Sequence, residues 1–95
     1  MAEYRVAIPE TIRRKIAELG LSSATTKALY RDLFPYLRTM EPEYLGRRIA
    51  SPVPCVVCGL EVSDPAAGTS REIVLWVDDA RQPDTRIVIE VALLP

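Results

Sequence analysis

Tyr4-Arg5-Val6-Ala7-Ile8-Pro9-Glu10-Thr11-Ile12-Arg13-Arg14-Lys15-Ile16-Ala17-Glu18-Leu19-Gly20 contains the change of period on which the fold turns. Tyr4, Val6 and Ile8 alternate with Arg5 and Ala7, the period of two that marks a strand. Pro9 then fixes φ and suits a first helical turn, and Glu10 places an acid where the helix dipole favours one. Ile12, Ile16 and Leu19 follow at i, i+4 and i+7, forming one apolar stripe. Arg13, Arg14 and Lys15 lie mainly off that stripe. Gly20 supplies the residue that commonly ends a helix.

Helical spacing continues to about Thr39. Ser22 or Ser23 can cap a second helix, along which Ala24, Ala28, Leu29, Leu33, Tyr36, Leu37 and Met40 keep the helical period. Pro35 removes a backbone donor and crowds the preceding turn. This predicts a kink there, or a helix ending at Phe34 with a short second piece. The connection through Leu21 is so short that the two helices are expected to form an antiparallel hairpin. Alternation returns in Pro54–Val62, Glu72–Asp78 and Arg86–Leu94. Breaks fall at Asp64-Pro65 with Gly68, and from Asp79 through Asp84 with Pro83. The expected fold is α+β: an N-terminal strand, a helix hairpin and a three-stranded antiparallel meander (βααβββ), with the helices on one face of the sheet.

Parity assigns the faces. Tyr4, Val6 and Ile8, Ile73, Leu75 and Val77, and Ile87, Ile89, Val91 and Leu93 are expected to meet the helices. Val56, Cys58, Leu60 and Val62 form the inward set of the second strand. That strand is apolar on both sides, as a central strand is. The other face then displays Arg5, Ala7, Val57, Glu61, Glu72, Val74, Trp76, Asp78, Arg86, Val88 and Glu90. Four acids and two arginines around an apolar centre do not make a cradle for a polyanion. Such a face fits a protein partner, self-association or a covering segment.

Composition sets the outer limits. Ninety-five residues, 48% of them hydrophobic, form one domain with one core. No apolar run approaches the roughly 18–20 residues of a membrane span. The start, Met1-Ala2-Glu3-Tyr4-Arg5, lacks the pattern of a signal peptide, so a cytoplasmic protein without membrane partners is expected. Twelve Lys and Arg against thirteen Asp and Glu give a net charge of −1. Proteins that grip nucleic acid usually carry a clear positive excess, so any basic patch here has to be local.

Motifs of chemistry are few. The chain has no histidine, and so lacks the usual general base and the commonest metal ligand. Cys55-Val56-Val57-Cys58 has CxxC spacing, but a redox pair needs a helix N-terminus and a zinc site needs two further ligands. Residues three apart on a strand point to opposite faces, so two ordinary buried cysteines are the favoured reading; no metal or cofactor is expected. Arg13-Arg14-Lys15 is read first as a solvated helix face. Arg47 and Arg48, Arg71 and Arg86 stand at strand ends, where arginine forks can converge on a phosphate or serve as surface partners for Glu61, Glu72 or Glu90. Trp76 and Tyr4 could stack on a base, although half-buried sheet aromatics are commoner.

The order of elements resembles the RelE/ParE superfamily of toxins from bacterial toxin–antitoxin pairs. The carriers are the short strand running into a helix at Tyr4–Pro9, the proline turn Met40-Glu41-Pro42-Glu43-Tyr44-Leu45, and the segment Leu45-Gly46-Arg47-Arg48-Ile49. Arg71-Glu72-Ile73-Val74-Leu75-Trp76-Val77 is similar to the family's central strand. The resemblance spans nearly the whole chain through loose motifs. It implies a toxin that cuts messenger RNA on the ribosome, or one that poisons gyrase, held inactive by a cognate antitoxin. Arg48 and Arg71, with Arg86 third, match the positions that hold the scissile phosphate in RNA-cutting members. The chain departs from those members in lacking histidine, in having no tyrosine beyond Tyr44, in its slightly negative charge, and in a last strand that closes at Leu94-Pro95 without the segment bearing catalytic groups. Three readings remain: such a toxin, a non-catalytic relative binding a protein or a second copy through Trp76, Val74, Val88 and Arg47, and an unrelated α+β domain.

Overall fold

The computed structural model describes residues 3–51, 53–64 and 68–94. Strand β1 (Arg5–Ala7) leads into helix α1 (Glu10–Ala17) and helix α2 (Ser23–Thr39). A short 3-10 turn at Pro42–Tyr44 is followed by β2 (Arg47–Ile49), β3 (Cys55–Asp64), β4 (Thr69–Asp78) and β5 (Thr85–Leu93). One five-stranded sheet results, in the order β1-β5-β4-β3-β2. The α+β class is as expected, but the sheet is larger and mixed. The arginine-bearing segment before the meander is itself a strand, antiparallel to β3, and β1 pairs parallel with β5. Alternation over three residues is too short to announce β2 in the sequence; its pairing with Cys55–Val57 makes it a strand.

Gly46 explains how β2 begins. A Cβ at this position would lie 2.3 Å from the Val57 carbonyl oxygen, so only glycine allows the chain to approach β3 this closely.

Pro9 sits at the N-cap of α1, one position before the expected first turn, and Ile12 and Ile16 are buried below it. Gly20 has a φ of +80°, the left-handed conformation that closes a helix. The Ser22 hydroxyl caps α2 by accepting from the Thr25 amide at 3.1 Å. Helix α2 passes through Pro35 to Thr39 and does not end at Phe34. Its buried stripe is Thr25, Leu29, Leu33 and Leu37, while Ala24 is exposed. Helix α1 docks on β5 and α2 on β3 and β1, and the Arg13 guanidinium of α1 lies over the Tyr30 ring of α2.

The core between helices and sheet contains Ile16, Leu33, Val56, Val62, Ile73 and Leu75, among others. Val56, Cys58 and Val62 point inward as expected, with Leu60 packed at the margin. The expected break at Asp64-Pro65 falls partly on residues 65–67, outside the described residues.

The largest correction concerns β5. Val77 faces Val88, but Trp76 faces Glu90, leaving Ile89 as an extra residue in a β-bulge. A bulge reverses alternation along the strand. Val91 and Leu93, beyond it, point to the core side as parity predicts. Before it the faces exchange: Val88 is fully buried and Arg86 is 1% exposed, whereas Ile87 and Ile89 are only partly covered. Arg86 and Val88 therefore do not belong to the outer face.

Candidate functional site

The candidate arginines occupy different environments. Arg48 directs both guanidinium nitrogens to Asp79, with Nη1–Oδ1 at 3.0 Å and Nη2–Oδ2 at 2.7 Å. This two-point ion pair holds the Asp79 carboxyl below its ordinary range, chiefly through the hydrogen bond from Arg48. It ties β2 to the loop after β4. Arg71 lies opposite Val62 in the β3–β4 hairpin and is half-buried. Because Arg48 faces Val56, six residues separate these two positions along β3, about 20 Å at strand rise. They do not converge on one phosphate.

Arg86 is a structural residue. Its Nη1 donates to the Leu37 carbonyl at 2.7 Å, and its guanidinium lies 3.7 Å from the centre of the Tyr4 ring. Leu37 is in the last turn of α2, where carbonyls lack intrahelical partners and the dipole favours a cation. Tyr36 accepts from the Met40 amide and Arg38 from the Tyr4 amide, so the helix end is closed jointly by its own chain, β1 and β5. The Arg86 Nε has no hydrogen-bond partner among the described residues. Burial here sets an arginine among a carbonyl and an aromatic face, with no carboxylate in ion-pair contact among the described residues.

Beside it, the Tyr36 hydroxyl donates to the Leu45 carbonyl, and burial raises its pKa. Burial also pushes the Cys58 thiol up to about 11. The Cys55 thiol is raised as well, again first by burial. The two cysteines are free, buried and on opposite faces, Cys58 in the core and Cys55 lining a groove on the outer face. Neither has the depressed pKa of a nucleophilic thiol. Among the described residues no group of three or more His, Cys, Asp or Glu could hold a metal.

The outer face of the sheet is different. Val57 faces Trp76 across β3 and β4, Arg47 faces Val57 from β2, and Gly59 faces Val74 one row further along. Val57, Val74 and Trp76 are each only partly covered, and Ile87 and Ile89 join them from β5. A groove of about 220 Å3 opens here between Ile49, Val53, Cys55, Trp76, Ile89 and Glu90. The bulge builds it, since Ile89 would otherwise turn toward the helices. At one end of the face Glu61 and Glu72 stand directly opposite one another, both exposed. Like charges in that position are unfavourable, and Glu61 is eased by accepting from the Ser70 hydroxyl.

The basic run on α1 is exposed and engaged. Lys15 pairs with Glu90 at 2.7 Å, Arg14 approaches Glu10 at 3.9 Å, and Arg13 donates from Nε to the Ile8 carbonyl at 3.1 Å. The Glu90 carboxyl is held below its usual range, first by Lys15 and then by the Val91 amide. That contact covers a backbone donor of β5 beyond the short reach of β1, one way to protect an open sheet edge.

Alternation placed Trp76 and Val74 on this face; Arg47 reaches it through the pairing of β2 with β3, and the spacing had no means of detecting the bulge that adds Ile87 and Ile89. Cys55 reads in sequence as a buried residue on the face opposite Cys58, and the structure shows that it lines the outer groove. Comparison of the chain with protein-family models, with curated proteins and with solved structures finds no match. No described helix is long and apolar enough to cross a membrane.

Proposed function

We propose that this domain is a protein-binding module whose outer sheet face, centred on Trp76, receives a partner. One observation carries the reading. Both helices pack on the other face, while Val57, Val74, Trp76, Ile87 and Ile89 stay partly exposed around a preformed apolar groove. Apolar surface gathered in one patch, with an aromatic at its centre and charges at its rim, is the composition of a binding site. The RelE/ParE resemblance makes an antitoxin the first partner class to test, and a second copy of the chain is the simplest alternative.

The phosphate-holding role expected of Arg48, Arg71 and Arg86 receives less support. It asks three side chains to share a surface, whereas Arg86 is buried, Arg48 is held by Asp79 and Arg71 stands about 20 Å from Arg48. The test is controlled induction in a bacterial host, with light scattering of the purified protein, for wild type, Trp76→Glu and Arg48→Ala/Arg71→Ala. The binding reading expects unimpaired growth and a dimer or co-purified complex that Trp76→Glu loses and the arginine variant keeps. Growth arrest relieved by the arginine variant would overturn it in favour of an RNA-cutting toxin. A monomer with no complex, in wild type and Trp76→Glu alike, would also overturn it.

A further inference from the structure

We infer that a second groove, between β1 and α2, takes an extended acidic peptide as a short added strand. This site lies apart from the Trp76 face. It has a volume of about 610 Å3 and is lined by Glu3, Tyr4, Arg5, Val6, Phe34 and Arg38.

Three observations specify the occupant. The first is backbone direction. β1 is the outermost strand and pairs only with β5. The Arg5 amide donates to the Asp84 carbonyl on the β5 side, while the Tyr4 amide donates to the Arg38 carbonyl on the α2 side. Hydrogen-bonding direction alternates along a strand, so Val6 turns its N–H and C=O toward α2, as Tyr4 does. Val6 lines the groove, and its backbone offers the donor and acceptor that one residue of an incoming strand requires. The flanking positions are already used, by Arg38 at Tyr4 and by Arg13 at the Ile8 carbonyl, which limits the added strand to a few residues.

The second observation is the wall. Phe34 stacks on Tyr30 one helical turn away, with ring centres 6.3 Å apart, and Tyr4 lies on the strand side. Alternate side chains of a bound strand would pack on these rings. The third is charge. Arg5 and Arg38 are exposed, and neither has an ion-pair partner among the described residues; Glu3 is the one acid in the lining. A chain of nearly neutral net charge has here a local cationic rim, which complements acidic side chains on the peptide. Aromatics and arginines also suit single-stranded RNA, but the outward N–H and C=O of Val6 on an edge strand match the ladder spacing of an incoming peptide strand, which favours a peptide.

The probe is a random heptapeptide display library, selected on the full chain and counter-selected on an Arg5→Glu/Arg38→Glu variant. Selected peptides are then titrated by fluorescence anisotropy and by amide chemical shifts. The expected result is enrichment of peptides with acidic residues alternating with apolar ones. Their binding should weaken about tenfold or more in the charge-reversed variant, shift the Val6 amide, and persist in Trp76→Glu, which separates this groove from the proposed partner face. Thermal melting confirms that both variants remain folded. No enrichment over the variant, binding that leaves Val6 unshifted, or preferential binding of hexauridylate at this groove would each overturn the inference.

Discussion

The two faces of the sheet invert the usual assignment of side chains. The covered inner face contains an arginine, Arg86, while the open outer face displays the single tryptophan. On the inner face Arg86 meets a helix end that needs a donor and an aromatic ring that accepts a cation, so geometry meets most of its polarity and leaves Nε without a partner among the described residues. On the outer face Trp76 lines a groove with Cys55 and Ile89 and stays partly exposed. A polar residue can thus serve as core, and a large aromatic can remain as surface. What decides is the complement that the rest of the fold provides.

The strongest way to break this comparison is Arg86→Ala. It leaves a cavity and an unpartnered Leu37 carbonyl, and should cost about 3 kcal/mol in urea denaturation. Arg86→Met keeps the volume and removes a buried charge, and is expected to cost only about 1 kcal/mol. An exposed, phosphate-holding arginine would show no such difference. Val88→Ala against Ile87→Ala tests the bulge. The fully buried Val88 should lose about 2 kcal/mol and the partly covered Ile87 less than about 1 kcal/mol, whereas an unbroken alternation would reverse the order.

The smallest effect concerns the Arg48–Asp79 pair at the margin of the sheet. The Asp79 pKa is lowered on folding, so its contribution is present above the ordinary carboxylate pKa of about 4 and is lost as pH falls through the lower folded value. The Arg48 side chain is 56% exposed, so screening keeps the contribution below about 1 kcal/mol. Melting temperature followed from pH 6 to pH 2 should fall less steeply in Asp79→Asn than in wild type.

Much of the architecture was legible because it rests on local periodicity. The strand-to-helix change at Pro9, the cap at Ser22, the closing Gly20 and the inward set of β3 all follow from spacing and residue chemistry within a few positions. Pro35 was legible as a disturbance, but spacing left open whether α2 would continue through it or end at Phe34; the helix continues, with Leu33 and Leu37 packed on either side of the lost donor. The candidate site was legible in part. Trp76 and Val74 lie on the outer face as alternation assigns them, while Arg86 and Val88 were misplaced by one uncounted residue, Ile89. β2 and the open β1 edge had no local signature, because each is defined by the strand beside it or by the lack of one.

The sequence by itself determined the α+β class, the order of helices and longer strands, and the absence of histidine chemistry. Each of these depends on residue type and on neighbours a few positions away. Tertiary structure alone decided that β1 joins β5, that Gly46 admits β2 and that Arg86 closes a helix. Those outcomes arise where residues distant in the chain compete for the same hydrogen bond or the same volume, and such a contest has no counterpart in the spacing of side chains along a single strand.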